Sequence, residues 1–160
     1  MADALLTLDA VRESMPDNAA LMALGDMPVK AKFDRGELTI TVSPGDIVAA
    51  TSAVQAAGYN FFEDLTAVDW YPSEPRFQIS YHIVSMTMKQ RVRLAVVLEG
   101  DDPSVDSITS IWPSSNFYER EVFDLFGIRF IGHPNLTRIM MPTDWKGHPL
   151  RKDYPVEGYR

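Results

Sequence analysis

A chain of 160 residues, 46% apolar and 23% charged, is long enough for one domain with a real core and too short for two comfortable ones. It has no cysteine, which removes disulfides, thiolate nucleophiles, iron–sulfur ligation and most zinc sites. Its net charge of −7 argues against a general nucleic-acid binder, which relies on a basic surface.

No apolar run approaches the roughly 18 to 20 residues of a bilayer span. The opening "MADALLTLDAVRESMPD" sets Asp3, Asp9, Glu13 and Asp17 against Arg12 alone, unlike the basic start of a signal or transit peptide. The expectation is a protein used where it is made.

In chain order, the pattern predicts a helix over residues 8–15 stopped by Pro16, and a shorter one over 18–24 closed by Gly25. "VKAKFDRGELTITV" alternates on both sides of Asp34-Arg35-Gly36, which predicts a hairpin. A helix follows, with Asp46 expected as N-cap, Ile47, Ala50, Val54 and Ala57 at helical spacing, and Gly58 as the stop. Residues 61–71 read as a strand, broken by two prolines in "YPSEP". "RFQISYHIVSM" and "RVRLAVVLEG" then alternate and pair as a second hairpin.

"PSVDSITSIW" is predicted as a short helix carrying Val105, Ile108 and Ile111. Strands and helices come in groups without strict βαβ alternation. The expected architecture is therefore α+β, a two-layer sandwich with a mixed, largely antiparallel sheet of about five strands, helices on one face and an extended C-terminal arm.

The densest pattern is "YEREVFDLFGIRFIGHP", residues 118–134. If Asn116 caps this helix, Glu119 falls at the third position, where a glutamate closes a capping box. Arg120, Glu121 and Asp124 share one narrow stripe, and apolar residues cover most of the remaining circumference. Two carboxylates there need a cation besides Arg120, and Arg129, Arg138, Arg151 and Lys152 are the downstream candidates. A buried ionic seam outranks an acid/base dyad of Glu121 and Asp124, because no nucleophile or substrate-positioning motif accompanies the acids.

His82, His133 and His148 could join Asp144 or Asp153 around a metal, but their spacing matches no helical His pair and two of them simply precede a proline, so a metal site is the minor reading; no phosphate loop or dinucleotide fingerprint is present.

Beyond Gly132 the periodicity stops. Residues 133–160 contain prolines at 134, 142, 149 and 155 and hold five basic against three acidic residues, whereas residues 1–132 hold ten against nineteen. Such a stretch is either disordered or laid along a partner. Ile139, Met140, Met141, Trp145, Leu150, Tyr154 and Tyr159 favour the partner, being of types that seek burial. The expected division is a domain over 1–132 and an arm for inter-subunit contacts over 133–160.

Glu119-Arg120-Glu121, Asp124, His133 and Arg138 at this spacing, with "GHPLRKDYP" near the end of the chain, closely resemble the C-subunit of the proton-pumping NADH:quinone oxidoreductase, the 30 kDa subunit family of respiratory complex I. The likeness is detailed over about residues 113–158, and "LTAVDWY" shares it more loosely. Plastid-type quinone reductases, F420-linked dehydrogenases and energy-converting membrane hydrogenases contain related subunits.

The resemblance implies a peripheral subunit without catalytic residues, metal or cofactor of its own. NADH, FMN, iron–sulfur clusters and quinone would lie on partners, among them the quinone-site D-subunit and the cluster-bearing B-subunit. Neither nucleic acid nor a membrane span is expected. The implied place is the cytoplasmic side of a bacterial membrane. Carried over by position, Glu119, Arg120, Glu121, Asp124, His133 and Arg138 form the family signature, and Leu150, Arg151, Lys152, Asp153, Tyr154 and Pro155 its terminal motif.

Overall fold

In the computed structural model, which describes residues 4–159, the chain opens with two short helices, α1 (Leu8–Ser14) and α2 (Ala19–Leu24). Helices this short need capping and packing to persist. Thr7 accepts from the Ala10 N–H, the Asn18 side chain accepts from Ala20 and Leu21, and Val11, Leu21 and Leu24 are buried. Strands β1 (Lys30–Asp34) and β2 (Glu37–Thr41) form the predicted hairpin. Its two turn residues, Arg35 and Gly36, both have positive φ, the twist that matches paired strands.

Helix α3 (Ile47–Ala56) buries Ile47, Ala50 and Val54 as the spacing predicts. Asp46 does not cap it with its side chain. A short 3-10 turn over Pro44–Asp46 leads into the helix and holds Asp46 in a helical conformation, from which no side-chain cap bond forms.

Strands β3 (Phe61–Asp69), β4 (Phe77–Ser85) and β5 (Gln90–Leu98) form an antiparallel meander. Strand β5 returns beside β2 in parallel, giving the five-stranded mixed order β1-β2-β5-β4-β3. One face buries Ile79, Tyr81, Ile83, Val92, Leu94 and Val96 beneath the helices, so the fold is the expected α+β sandwich.

The other face carries a polar chain across four strands. His82 Nδ1 lies 2.5 Å from Asp64, Arg93 Nε donates to His82 Nε2 at 3.0 Å, and Arg93 also pairs with Glu37. A guanidinium only donates, so Nε2 must accept and Nδ1 carries the proton shared with Asp64.

The helix predicted from "PSVDSITSIW" is not formed. Ser104–Asp106 is strand β6, which pairs in parallel with β7 (Arg129–Ile131), and α4 (Ser115–Phe126) makes the crossover. The spacing of Val105, Ile108 and Ile111 suits a helix, but Val105 pairs opposite Phe130 and Ile108 closes a turn, its carbonyl accepting from Ile111 and Trp112. A partner strand beyond the local window decided the outcome. Helix α4 lies on the core face, with Tyr118 and Trp112 packed on Phe62.

Candidate functional site

Helix α4 begins at Ser115 after Ser114, so Asn116 lies inside the helix and the expected capping box is absent. Glu119 instead points inward and is fully buried. It accepts from Ser107 Oγ (2.6 Å), the Ile108 N–H (2.8 Å) and Ser115 Oγ (3.2 Å), which fastens the turn after β6 to the helix. Burial pushes its carboxyl above the ordinary value, and the neutral donors only partly oppose this. The Tyr81 hydroxyl, buried without a hydrogen-bond partner among the described residues, is likewise pushed well up, by burial first and then by the charge of Glu119.

One turn further on, Asp124 is also fully buried. Its Oδ1 meets Arg138 Nη1 at 2.5 Å, and its Oδ2 accepts from the N–H groups of Ile139, Met140 and Met141 at 3.0, 2.7 and 2.8 Å. Burial alone would raise this carboxyl, but the three amides and Arg138 outweigh it and hold it below the usual range. Of the cations anticipated for the seam, Arg138 reaches it. Arg129 pairs with exposed Asp102, while Arg151 and Lys152 serve elsewhere.

Segment 133–159 runs back over its own domain and caps α4. A helix end leaves its last carbonyls without intrahelical donors. Here Asp124 O accepts from Arg138 Nη1 and His148 Nδ1, Leu125 O from the Leu150 N–H, and Phe126 O from Arg151 Nε. Two arginines at a helix C-terminus also oppose its dipole.

Gly127, at φ +74°, ends the helix in the left-handed region. A Cβ there would stand 2.5 Å from the His148 ring and 2.7 Å from Arg151, so the close approach of this strap needs glycine as much as the turn does. Burial lowers the pKa of His148, keeping the ring neutral with its Nδ1 proton on the carbonyl.

The terminal motif makes a second attachment. Arg76 forms paired bonds to Asp69 (2.9 and 2.8 Å) and to Asp153 (3.1 and 2.7 Å), and the Lys152 N–H reaches Asp69 at 2.8 Å. Burial pushes Asp69 up, but Arg76 and the Lys152 and Tyr71 amides bring it down to about 2. Arg151 lies over the Phe77 ring at 5.2 Å. The side chains of Leu150 and Pro155 are exposed, and Tyr154 stacks edge to face on Tyr159.

Arg120 donates to the carbonyls of Thr137 and Arg138, and His133 bridges Asn116 O and the Asn135 N–H. Glu121 is exposed and makes no hydrogen bond or ion pair among the described residues. Glu121 and Asp124 are thus not brought together as a dyad. The three histidines lie at separate places, and no group of three or more potential metal ligands is gathered among the described residues.

Sequence reasoning missed Asp69, Arg76, Ser107 and Ser115. For Asp69 a signal exists: Leu65, Ala67 and Asp69 share the inward parity of β3, so a charge on the core face demands a cation.

These features describe a class, that of small α+β domains whose buried acids fasten their own loops and whose C-terminal segment is strapped across the last helix. Solved structures share the fold, and two of them illustrate it. One, described as Nqo5 of a trypsin-resistant fragment (1–134), superposes with a TM-score of 0.65 at 29% identity, over 78% of this chain and 98% of that one. The other, from a membrane-bound sulfane sulfur reductase described as an archaeal respiratory membrane complex, gives 0.73 at 23% identity, over 84% and 82%.

The chain belongs to the family described as respiratory-chain NADH dehydrogenase, 30 kDa subunit, whose sequence model matches residues 40–160. It is similar to the NADH-quinone oxidoreductase C-subunit of Citrifermentans bemidjiense, 44% identical over 89% of this chain and 91% of that protein. The corresponding C-subunit of Roseiflexus sp. is 43% identical, over 96% and 85%. No helix among the described residues is long and apolar enough to cross a membrane.

Proposed function

We propose that this chain is a structural and assembly subunit in the hydrophilic arm of a proton-translocating NADH:quinone oxidoreductase. In this reading it sits peripherally on the cytoplasmic side of a bacterial membrane. It contributes no catalytic residue, and it positions partners that carry NADH, FMN, iron–sulfur clusters and quinone. Its neighbours are the quinone-site D-subunit and the cluster-bearing B-subunit. Residues 1–132 form the domain and 133–160 the contact arm.

One observation carries the reading. Arg138, His148, Arg151 and Asp153 of the strap are engaged within the chain, on α4 and on Arg76, and the Lys152 N–H on Asp69, while Ile139, Met140, Trp145, Leu150, Val156 and Tyr159 remain exposed. A strap docked by its polar atoms with its apolar side chains outward is suited to being covered by another protein.

The test is an affinity tag on this chain, mild detergent extraction and identification of what accompanies it. The B- and D-subunits together with NADH-oxidising partners are expected. Recovery of the chain alone, or with an F420-linked dehydrogenase or a membrane hydrogenase, would overturn the assignment.

A further inference from the structure

Where strand β3 ends, the chain presents two large aromatic residues to solvent, Trp70 and Tyr71, 53% and 51% exposed. The backbone that carries them is held at each step. The Trp70 N–H donates to Arg76 O at 2.8 Å, the Trp70 carbonyl accepts from the Ser73 N–H at 2.9 Å, and the Tyr71 N–H donates to Asp69 Oδ1 at 2.9 Å. The Arg76 guanidinium lies over the Tyr71 ring, 4.9 Å from its centroid. Pro72 and Pro75 restrict the rest of the loop. Both rings therefore stand on a backbone fixed before anything binds, which leaves little ordering entropy to oppose docking.

Strand parity sets Trp70 on the open face of the sheet, two residues beyond Val68. Val68, Gln78 and Val97 stand side by side across β3, β4 and β5, and both valines are exposed. Asp69, facing inward between them, accepts from Arg76 and from the Lys152 N–H, and Arg76 continues to Asp153 of the strap. Loop 70–75 is thus the corner at which the apolar end of the open sheet face meets the strap.

Tryptophan and tyrosine are the types that dominate binding energy at protein interfaces. The Trp70 indole N–H makes no hydrogen bond among the described residues, so an occupant must offer an acceptor beside an apolar wall. Lipid headgroups also attract these two side chains, but a chain of net charge −7 is repelled by an anionic leaflet.

We propose that the corner formed by Val68, Trp70 and Tyr71 docks the same neighbouring protein that covers the strap, with Trp70 entering an apolar slot that holds an acceptor for its N–H. The choice of occupant rests on the proposed reading of segment 133–160 as a contact arm, because Arg76 and Asp69 make corner and strap one continuous surface. The inference adds a contact site on the domain itself.

The test is hydroxyl-radical footprinting of Trp70 and Trp145, in the free chain and in the complex recovered through a tag on it. Both are expected to be oxidised in the free chain and protected in the complex. Trp70 open beside a protected Trp145 would overturn the corner and leave the arm reading standing. Both open, or a chain that joins no complex, would overturn the arm reading and this assignment with it. Protection that appears in the free chain as its concentration rises, or on adding phosphatidylethanolamine and phosphatidylglycerol vesicles, would give the corner to a second copy or to a membrane and likewise overturn the neighbouring subunit.

Trp70→Ala supplies the energetic check. The free variant should keep the wild-type thermal midpoint, since the side chain is exposed, yet exchange out of the complex about tenfold faster when chased with untagged chain. Met86→Ala, at an exposed position between β4 and β5 at the other end of the sheet, should exchange at the wild-type rate. Equal rates for Trp70→Ala and wild type, or equal acceleration by both variants, would refute the docking role of Trp70.

Discussion

Asp124→Asn tests the strap attachment most directly. The amide can keep one oxygen facing the N–H groups of Ile139, Met140 and Met141, but it then turns an NH2 group toward Arg138 Nη1, which now sits 2.5 Å from Oδ1. Donor would face donor, with both side chains at most 15% exposed. Breaking a buried pair from one side costs about 3 to 5 kcal/mol.

The low end applies here, because Arg138 keeps the carbonyls of Asp124, Trp145 and Gly147 as acceptors. For a chain of this size, about 3 kcal/mol lowers the thermal midpoint by about 6 to 12 °C. Thermal unfolding of the purified chain measures the loss, and hydrogen exchange at Ile139, Met140 and Met141 locates it. A midpoint within about 2 °C of wild type, with those amides still protected, would refute the claim that Asp124 holds the strap.

Glu119→Gln should behave oppositely, although it is also an acid-to-amide change on α4. Because burial raises the folded-state pKa of Glu119, the stability linked to its proton is fully present below the ordinary value of 4.5 and is lost as pH rises through the raised one. Glutamine keeps the hydrogen-bonding shape without the charge, so in urea titrations the variant should gain on wild type from pH 5 to pH 8; a constant deficit at both would sink the argument. Asp69 carries the reverse sign. Its folded pKa of about 2 lies below the ordinary 3.8, so it contributes about 2 kcal/mol above pH 4 that disappears as pH falls toward 2. Asp69→Asn should therefore flatten the acid limb of stability against pH, and parallel curves for variant and wild type would contradict the role of the Arg76 clamp.

The local alphabet of this chain was sufficient for much of the fold. Alternation in "RFQISYHIVSM" and "RVRLAVVLEG" placed Ile79, Tyr81, Val92 and Leu94 on one face, and Arg35-Gly36 marked a turn, because strand parity and turn chemistry are properties of neighbours in sequence. The spacing from Glu119 to Arg138 together with "GHPLRKDYP" was likewise enough to suggest the family.

Tertiary structure decided what periodicity could not. Ser104–Asp106 became a strand because Arg129–Ile131 lies beside it. Glu119 found its donors in Ser107 and Ile108 instead of a capping box. Asp153 met Arg76 across 77 positions of sequence. A hydrophobic pattern tells which way a side chain faces, and therefore that a buried carboxylate must be satisfied. The group that satisfies it is set by chain segments distant in sequence, so a charged residue's partner becomes visible only when the whole chain is packed.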